Sequence, residues 1–536
     1  MRPSPQPRLR RRFDIVHIRP VGVAMAVSFA IIALISTEAS AAQSCESLAT
    51  LSLPNATITS AVVVAATSTL PANCKVNGVA TPTSDSSIKF EVRLPLTGWN
   101  GKFNGIGNGG YGGSLPALAG DALARKYATA GTDMGHSAAD PVWALGHPER
   151  IADWAYRANH TTAGLAKTII KAFYGVGPTL SYFTGCSDGG HEALMEAQRF
   201  PDDYDGIVAG APANYWTHQS TAWVWEGAAL LRNPLSISQL KAISAAVLRE
   251  CDAIDGLRDG LIDDPRRCTF DPAGLVRSGV ITAAQAEAVR KVYAGPRNPR
   301  TGEQLYPGLE RGSEYDSFSD TGVAQLVGSW VAHEPTDPAV PFLGDFFFKQ
   351  MVFNDLSWDY RTLDYDRDVA FADAKMGPIV NSTDADLSDF KALGGKLIMW
   401  HGWNDPLVNP RNSINYYKKV LANVDDGDQG GSGAESLEKT DSFVRLFMVP
   451  GMDHCLLGSG PNVFDTLTPI ESWVEQGQAP ARIIASGGAV PTRTRPLCPY
   501  PQVARYTGSG SIDVGANFAC VNPPRVDDDS QQANDD

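Results

Sequence analysis

Gly185-Cys186-Ser187-Asp188-Gly189-Gly190 is the stretch whose reading decides the fold. It follows a short apolar run, Leu180 to Phe183, and precedes a helical pattern from His191 to Phe200. The spacing predicts strand, sharp turn and helix, with a serine at the tip. G-x-S-x-G is the pattern of a nucleophile elbow, in which small flanking residues let the backbone turn tightly and lift the hydroxyl above a parallel sheet. An ordinary β-α turn can carry the same letters, because glycine and serine are frequent in turns. The surroundings argue for the elbow. Lys171 to Gly175 closes a preceding helix and Ile207 to Ala209 reads as the next buried strand, so the turn sits inside a β-α-β succession.

An elbow of this kind demands a chain order of serine, then acid, then histidine. Lys396 to Trp400 reads as a buried strand and runs into His401-Gly402-Trp403-Asn404-Asp405, which puts Asp405 just past a strand's carboxyl end. A second buried strand, Phe443 to Val449, leads to Asp453-His454-Cys455, and His454 is the one histidine after Asp405. His136, His191, His218, His333 and His401 precede the acid and are read as structural or site-lining. Asp188, Asp202, Asp203 and Asp453 lie close in sequence to the nucleophile or the base, where solvated or helix-capping roles are the expectation. Upstream, Phe103 to Gly113 is glycine-rich. It lacks the Lys-Ser/Thr ending of a nucleotide phosphate loop and any dinucleotide spacing, and suits a loop whose N–H groups approach a developing oxyanion. A plain surface turn is the alternative. Before it, Ile88, Phe90, Val92 and Leu94 alternate with polar residues, as in a half-buried strand.

The chain as a whole suits a loop-rich enzyme. Its 536 residues exceed one typical domain; it is 43% hydrophobic, with 51 glycines and 36 prolines. A net charge of −14 and the lack of a basic stripe in the mature part argue against nucleic-acid binding. Arg8 to Arg12, the apolar run Val21 to Ile35 and Ala39-Ser40-Ala41 read as an export signal over residues 1–41, with a weak twin-arginine option. The apolar run is short for a membrane anchor, so a secreted or periplasmic protein, free of the membrane after cleavage, is expected. The eight cysteines agree with an oxidising compartment. Cys45 with Cys74, Cys251 with Cys268 and Cys498 with Cys520 are sequence neighbours, which would leave Cys186 for Cys455, although sequence alone allows roughly a hundred connectivities.

The Cys186-Ser187 pair, the distant His454-Cys455 and Asp405 in H-G-x-x-D together resemble the tannase and feruloyl esterase family. Trp99 to Phe103, Tyr204 to Pro212 and Thr494 to Pro501 extend the likeness over nearly the whole mature chain. The resemblance implies an α/β-hydrolase core (residues 42–214 and 385–522) with a large inserted lid (215–384), and hydrolysis of aromatic esters such as feruloyl, chlorogenoyl or galloyl esters. It implies Ser187 as nucleophile, Asp405 as acid, His454 as base, the N–H groups of Gly110 and Asp188 as oxyanion donors, and a Cys186–Cys455 disulfide.

In the expected lid, Cys251 to Asp263 carries carboxylates at Asp252, Asp255 and Asp259 with interspersed glycines. The set suits a hard, oxygen-liganded cation but lacks the EF-hand pattern, and the residues alone favour a solvated acidic loop. The resemblance implies a structural Ca²⁺ held by Asp252, Asp255 and Asp259 carboxylates and the carbonyls of Leu257 and Leu261. Trp216, Trp223, Trp225, Trp330, Phe342, Phe346, Phe347, Phe348 and Phe353 are read mostly as core, some of them lining an acyl pocket. A substrate with a second carboxylate would want a cation, and Phe342 to Phe353 offers only Lys349, which favours neutral phenolic acyl groups over a terephthalate monoester. The partner expected is thus a small aromatic ester. A binding protein on the same fold, or a peptidase with the same three groups, are the rival readings. Leu467, Ile470 and Val474 suggest a helix ending near Gly477, and the acidic tail 523–536 reads as disordered.

Overall fold

A computed structural model describes residues 43–315, 330, 342–426 and 433–523. The expected signal segment, His333 and nearly all of the acidic tail lie outside the described residues. A nine-stranded mixed sheet runs in the order β1-β2-β3-β5-β4-β6-β7-β8-β9. β1 (Ala56–Val64), β2 (Asn73–Ala80), β3 (Ile88–Pro95) and β5 (Ala128–Thr132) pair antiparallel, and β4 (Lys102–Ile106) pairs parallel with β5. From β4 onward β6 (Leu180–Cys186), β7 (Gly206–Gly210), β8 (Lys396–Gly402) and β9 (Val444–Val449) are all parallel.

The parallel strands are apolar without alternation because helices cover both faces. Successive side chains go to opposite sides. Phe183, Ile207 and Leu397 join the core beneath the helix Ala158–Tyr174, whereas Tyr182, Val208 and Ile398 pack with Leu467, Ile470 and Trp473 of the helix Leu467–Gln476. Gly175 and Gly477 end these two helices in the left-handed conformation, where the sequence placed their ends. β3 departs from the half-buried expectation: only Lys89 is exposed, and Glu91 is buried against Lys75 and Arg93 at 3.1 and 2.7 Å. Antiparallel pairing on both sides and neutralisation by two cations let a strand with alternating letters lie inside.

Between β7 and β8 the chain runs over residues 211–395, and the described part of this insertion includes the helices Trp216–Arg232, Ile237–Cys251, Ala283–Ala294 and Arg367–Val380. Ser236 with Gln239 and Thr282 with Gln285 form capping boxes that set two of the starts. The insertion holds its own apolar cluster, around Ile243, Val247, Val289 and Trp330. A second cluster joins Met134, Trp143 and Trp154 of the core to Trp216, Phe347 and Phe348 of the insertion. No helix among the described residues is long and apolar enough to cross a membrane. All four disulfides are formed: Cys45–Cys74, Cys186–Cys455, Cys251–Cys268 and Cys498–Cys520.

Candidate active site

Ser187 caps the helix Asp188–Arg199 at the end of β6, with φ +68° and ψ −122°. Such a backbone costs a non-glycine residue on the order of 1–3 kcal/mol and persists only where its surroundings enforce it. Here the turn is held by the Ser187 N–H, which donates to the Gly210 carbonyl at 2.9 Å. It is also held by close packing. A Cβ at Gly185 would lie 2.3 Å from the Gly189 carbonyl oxygen, and one at Gly190 2.3 Å from that of Gly210. The glycines in the motif are therefore steric requirements.

Three distant segments meet at this tip. The Ser187 hydroxyl donates to His454 Nε2 at 2.8 Å, and His454 Nδ1–H donates to Asp405 Oδ2 at 2.6 Å. Asp405 is fully buried at the end of β8, where Oδ1 accepts from the N–H groups of Leu407 and Val408 at 2.8 and 2.9 Å. Burial works against its charge, but the imidazoles of His454 and His401 outweigh it and hold the carboxyl well below the usual range. The Cys186–Cys455 disulfide joins the neighbours of Ser187 and His454.

Asp188 is neither solvated nor a cap. It is fully buried, accepts from Trp154 Nε1–H at 3.2 Å and meets His191 Nδ1 at 3.2 Å. Burial pushes its carboxyl well up and the His191 imidazole down to about 3. His191 Nε2 faces the Val380 carbonyl, so the pair is a neutral carboxyl donating to a neutral ring. The Asp188 N–H is the first of its helix and has no acceptor within it. Opposite lies the glycine-rich loop: the Asn108 N–H donates to Glu192 Oε2 at 3.1 Å and the Asn108 carbonyl accepts from the Gly189 N–H at 2.8 Å. These bonds clamp the loop to the elbow helix just ahead of Gly110, which has φ +62°.

Comparison with known proteins gives the family. A family model described as "Tannase and feruloyl esterase" matches residues 74–521. The chain belongs to this family. It is 41% identical to an uncharacterized esterase of Xanthomonas campestris over 93% of this chain and 94% of that protein. It is 35% identical to the mono(2-hydroxyethyl) terephthalate hydrolase of Piscinibacter sakaiensis, covering 87% of each. Among solved structures it superposes on feruloyl esterase B from Aspergillus oryzae with a TM-score of 0.78, at 29% identity, over 89% of this chain and 99% of that one. As a member of the tannase and feruloyl esterase family the protein is a carboxylic ester hydrolase with an α/β-hydrolase core, acting on small esters.

In this esterase a cavity of about 440 Å³ opens over Ser187. Gly110, Trp216, Trp223, Leu343, Leu407 and His454 are among its walls, and no Lys, Arg, Asp or Glu among the described residues lines it. Of the predicted lid aromatics, Trp216 and Trp223 face the cavity, while Trp330, Phe347 and Phe348 are core. Lys349 pairs with Asp345 at 2.9 Å instead of facing the cavity.

The acidic loop of the insertion curls on itself. Asp252 Oδ1 accepts from the N–H groups of Asp259 and Gly260 at 3.1 Å each, Asp255 Oδ1 from Leu257 and Asp259 Oδ1 from Leu261. Asp259 also pairs with the buried Arg495 at 2.5 Å. Asp263, at the end of the same run and absent from the predicted ligand set, is buried within hydrogen-bond reach of Asp255. Burial pushes both carboxyls up; repulsion from Asp259 adds to it at Asp255, and repulsion from Asp255 and Asp259 adds to it at Asp263. Two carboxylates in contact raise each other's demand for positive charge, which a shared proton or a bound cation can supply. The loop offers carboxylate and carbonyl oxygens, the donor type that a hard divalent ion takes, although among the described residues no three of its carboxylates bring their oxygens together.

Proposed function

We propose that this protein is an exported serine esterase that hydrolyses aromatic, phenolic carboxylic esters through Ser187, His454 and Asp405. The observation that carries the reading is the unbroken hydrogen-bond chain from the Ser187 hydroxyl through His454 to Asp405. In the first step His454 Nε2 takes the Ser187 proton while Oγ bonds to the ester carbonyl carbon. The negative carbonyl oxygen would be met by the N–H groups of Gly110 and Asp188. His454 then gives its proton to the departing alkoxide, which leaves as the alcohol. Water repeats the sequence on the acyl-serine, its proton going to His454 and then to Ser187 Oγ, and the carboxylic acid is released. Asp405 stays ionised throughout and holds the Nδ1–H tautomer.

Residues 215–384 would act as the lid that supplies Trp216, Trp223 and Leu343 to the acyl pocket. A flat aromatic acyl group suits walls of indole and leucine, and the described wall residues include no Lys or Arg to meet a second carboxylate. That supports feruloyl-, caffeoyl- or galloyl-type esters over a terephthalate monoester. Asp252, Asp255 and Asp259, with the Leu257 and Leu261 carbonyls, would hold a structural Ca²⁺. When bound, the ion would neutralise the loop's carboxylates and cross-link it. Export is supported by the basic-then-apolar N-terminus and by four disulfides. The deciding experiment is hydrolysis of a panel of ferulate, chlorogenate, gallate and terephthalate monoesters by the wild type and Ser187→Ala. Phenolic esters should be cleaved best, and Ser187→Ala should lose about 10⁶-fold in kcat. Retained activity in Ser187→Ala would end the reading.

A further inference from the structure

Behind the proposed acid stands a second histidine that the hydrolysis does not use. His401 is fully buried in β8, four residues before Asp405. Its Nε2 lies 3.1 Å from Asp405 Oδ2 and 2.9 Å from the Val408 carbonyl oxygen, both acceptors, so Nε2 carries the hydrogen. Nδ1 lies 2.7 Å from the Ser413 hydroxyl, which is itself fully buried, and in the neutral ring it accepts from that hydroxyl.

Four donors therefore saturate the Asp405 carboxylate. Oδ1 takes the Leu407 and Val408 N–H groups, and Oδ2 takes His454 and His401. The backbone donors fix one oxygen only. Without His401, Oδ2 would have His454 as its sole partner and the carboxylate could pivot about Oδ1. We infer that His401 is a positioning residue of ester hydrolysis, acting through Asp405 by sharing Oδ2 with His454 in a tautomer that Ser413 locks. The inference rests on the reading of Ser187, His454 and Asp405 as the catalytic groups.

The charge argument gives the sign of the effect. A carboxylate whose oxygen is already engaged by a second N–H attracts the His454 imidazolium less strongly than one that is not. Removing the His401 donor should make Asp405 the stronger partner, so the imidazolium persists to higher pH and the free base becomes scarcer on the acid side. Among the described residues the buried phenol of Tyr306, from the insertion, also faces Asp405 and in turn faces Glu226. Both are unchanged in the variants below.

The test is kcat/KM against pH on an aryl ester for the wild type, His401→Leu and His401→Gln, with melting temperatures. Glutamine can place an N–H where Nε2 stood; leucine cannot. His401→Leu should lower kcat about 10-fold or more with KM within about 2-fold, and move the acid limb upward by about 0.5–1 pH unit. His401→Gln should recover most of the rate and return the limb. Should His401→Leu fail to fold, Ser413→Ala removes the lock and should move the limb in the same direction by a smaller step. A limb that stays put in the folded variants, with only the melting temperature lowered, overturns the inference and leaves His401 a packing residue. Asp405→Asn separates the two levels. If it keeps full activity, the catalytic reading itself fails; if it is crippled while the His401 variants are normal, only His401's role fails.

Discussion

Asp405 in the core is fully buried, and in the insertion Asp263 is buried against a half-buried Asp255, yet their proton affinities move in opposite directions. Asp405 is met by two backbone N–H groups and two imidazoles, so the protein itself supplies what water gave up. Asp255 and Asp263 face each other, with one N–H on Asp255 and the nearest cation, Arg495, already paired to Asp259. An isolated buried carboxylate costs several kcal/mol unless donors or an opposite charge offset it. The core meets that cost with fixed donors; the insertion leaves it open to be met from outside. The contrast separates a carboxylate whose charge the fold itself stabilises from a pair whose charge the fold opposes.

The largest expected effect breaks the core half of this comparison. Asp405→Asn keeps the size and the Oδ1 contacts but removes the charge, and should lower kcat about 10⁴-fold while the melting temperature changes little. A loss under about 10-fold would mean that the charge of Asp405 does not serve catalysis. The next effect addresses the insertion. If Asp255 and Asp263 owe their folded arrangement to a divalent ion, treatment with a calcium chelator should lower the melting temperature by on the order of 5 °C, and added Ca²⁺ should restore it. Equal melting with and without chelator would count against a bound ion and leave a shared proton as the explanation of the pair.

The two regions also differed in how far they could be read from the letters. Strand, elbow and helix around Ser187 were legible because Gly185, Gly189 and Gly190 sit where any side chain would strike backbone, so sterics wrote themselves into the sequence. The partners Asp405 and His454 followed from chain order and strand ends, and the structure brings both to Ser187. Asp188 was misjudged. Sequence proximity to a helix start suggested capping, whereas Asp188 is fully buried, which pushes its carboxyl up, and it accepts from Trp154, 34 residues upstream. His401 was left among the structural histidines, although four-residue spacing after a strand could have suggested a shared carboxylate. The pocket wall was the least legible part. Trp216, Trp223 and Leu343 come from separated stretches of the insertion, and nothing local distinguishes them from Phe347 or Phe348, which are core. Tertiary packing decides that division, and a linear pattern carries no trace of it.

The seam between the two regions offers the last and smallest test. There the aromatic cluster of Trp143, Trp154 and Trp216 joins core to insertion, and the His136 ring stacks on Trp143 at 3.8 Å. Burial lowers the His136 imidazole to about 4. In the unfolded chain a histidine titrates near about 6.5, so between these values the unfolded state binds a proton that the folded state refuses. The group's contribution is therefore complete above about pH 6.5 and is lost as the pH falls toward 4, with a deficit of about 2 kcal/mol at pH 5. His136→Phe keeps a flat ring against Trp143 and removes the titration. Denaturant unfolding at pH 7.5 and pH 5 should show the wild type losing about 2 kcal/mol more than the variant over that interval. His191 pulls in the same direction but is present in both proteins, so the difference isolates His136. Parallel losses would mean that the seam is secured by apolar packing alone, with no titrating ring in it, and that acid weakens this molecule elsewhere.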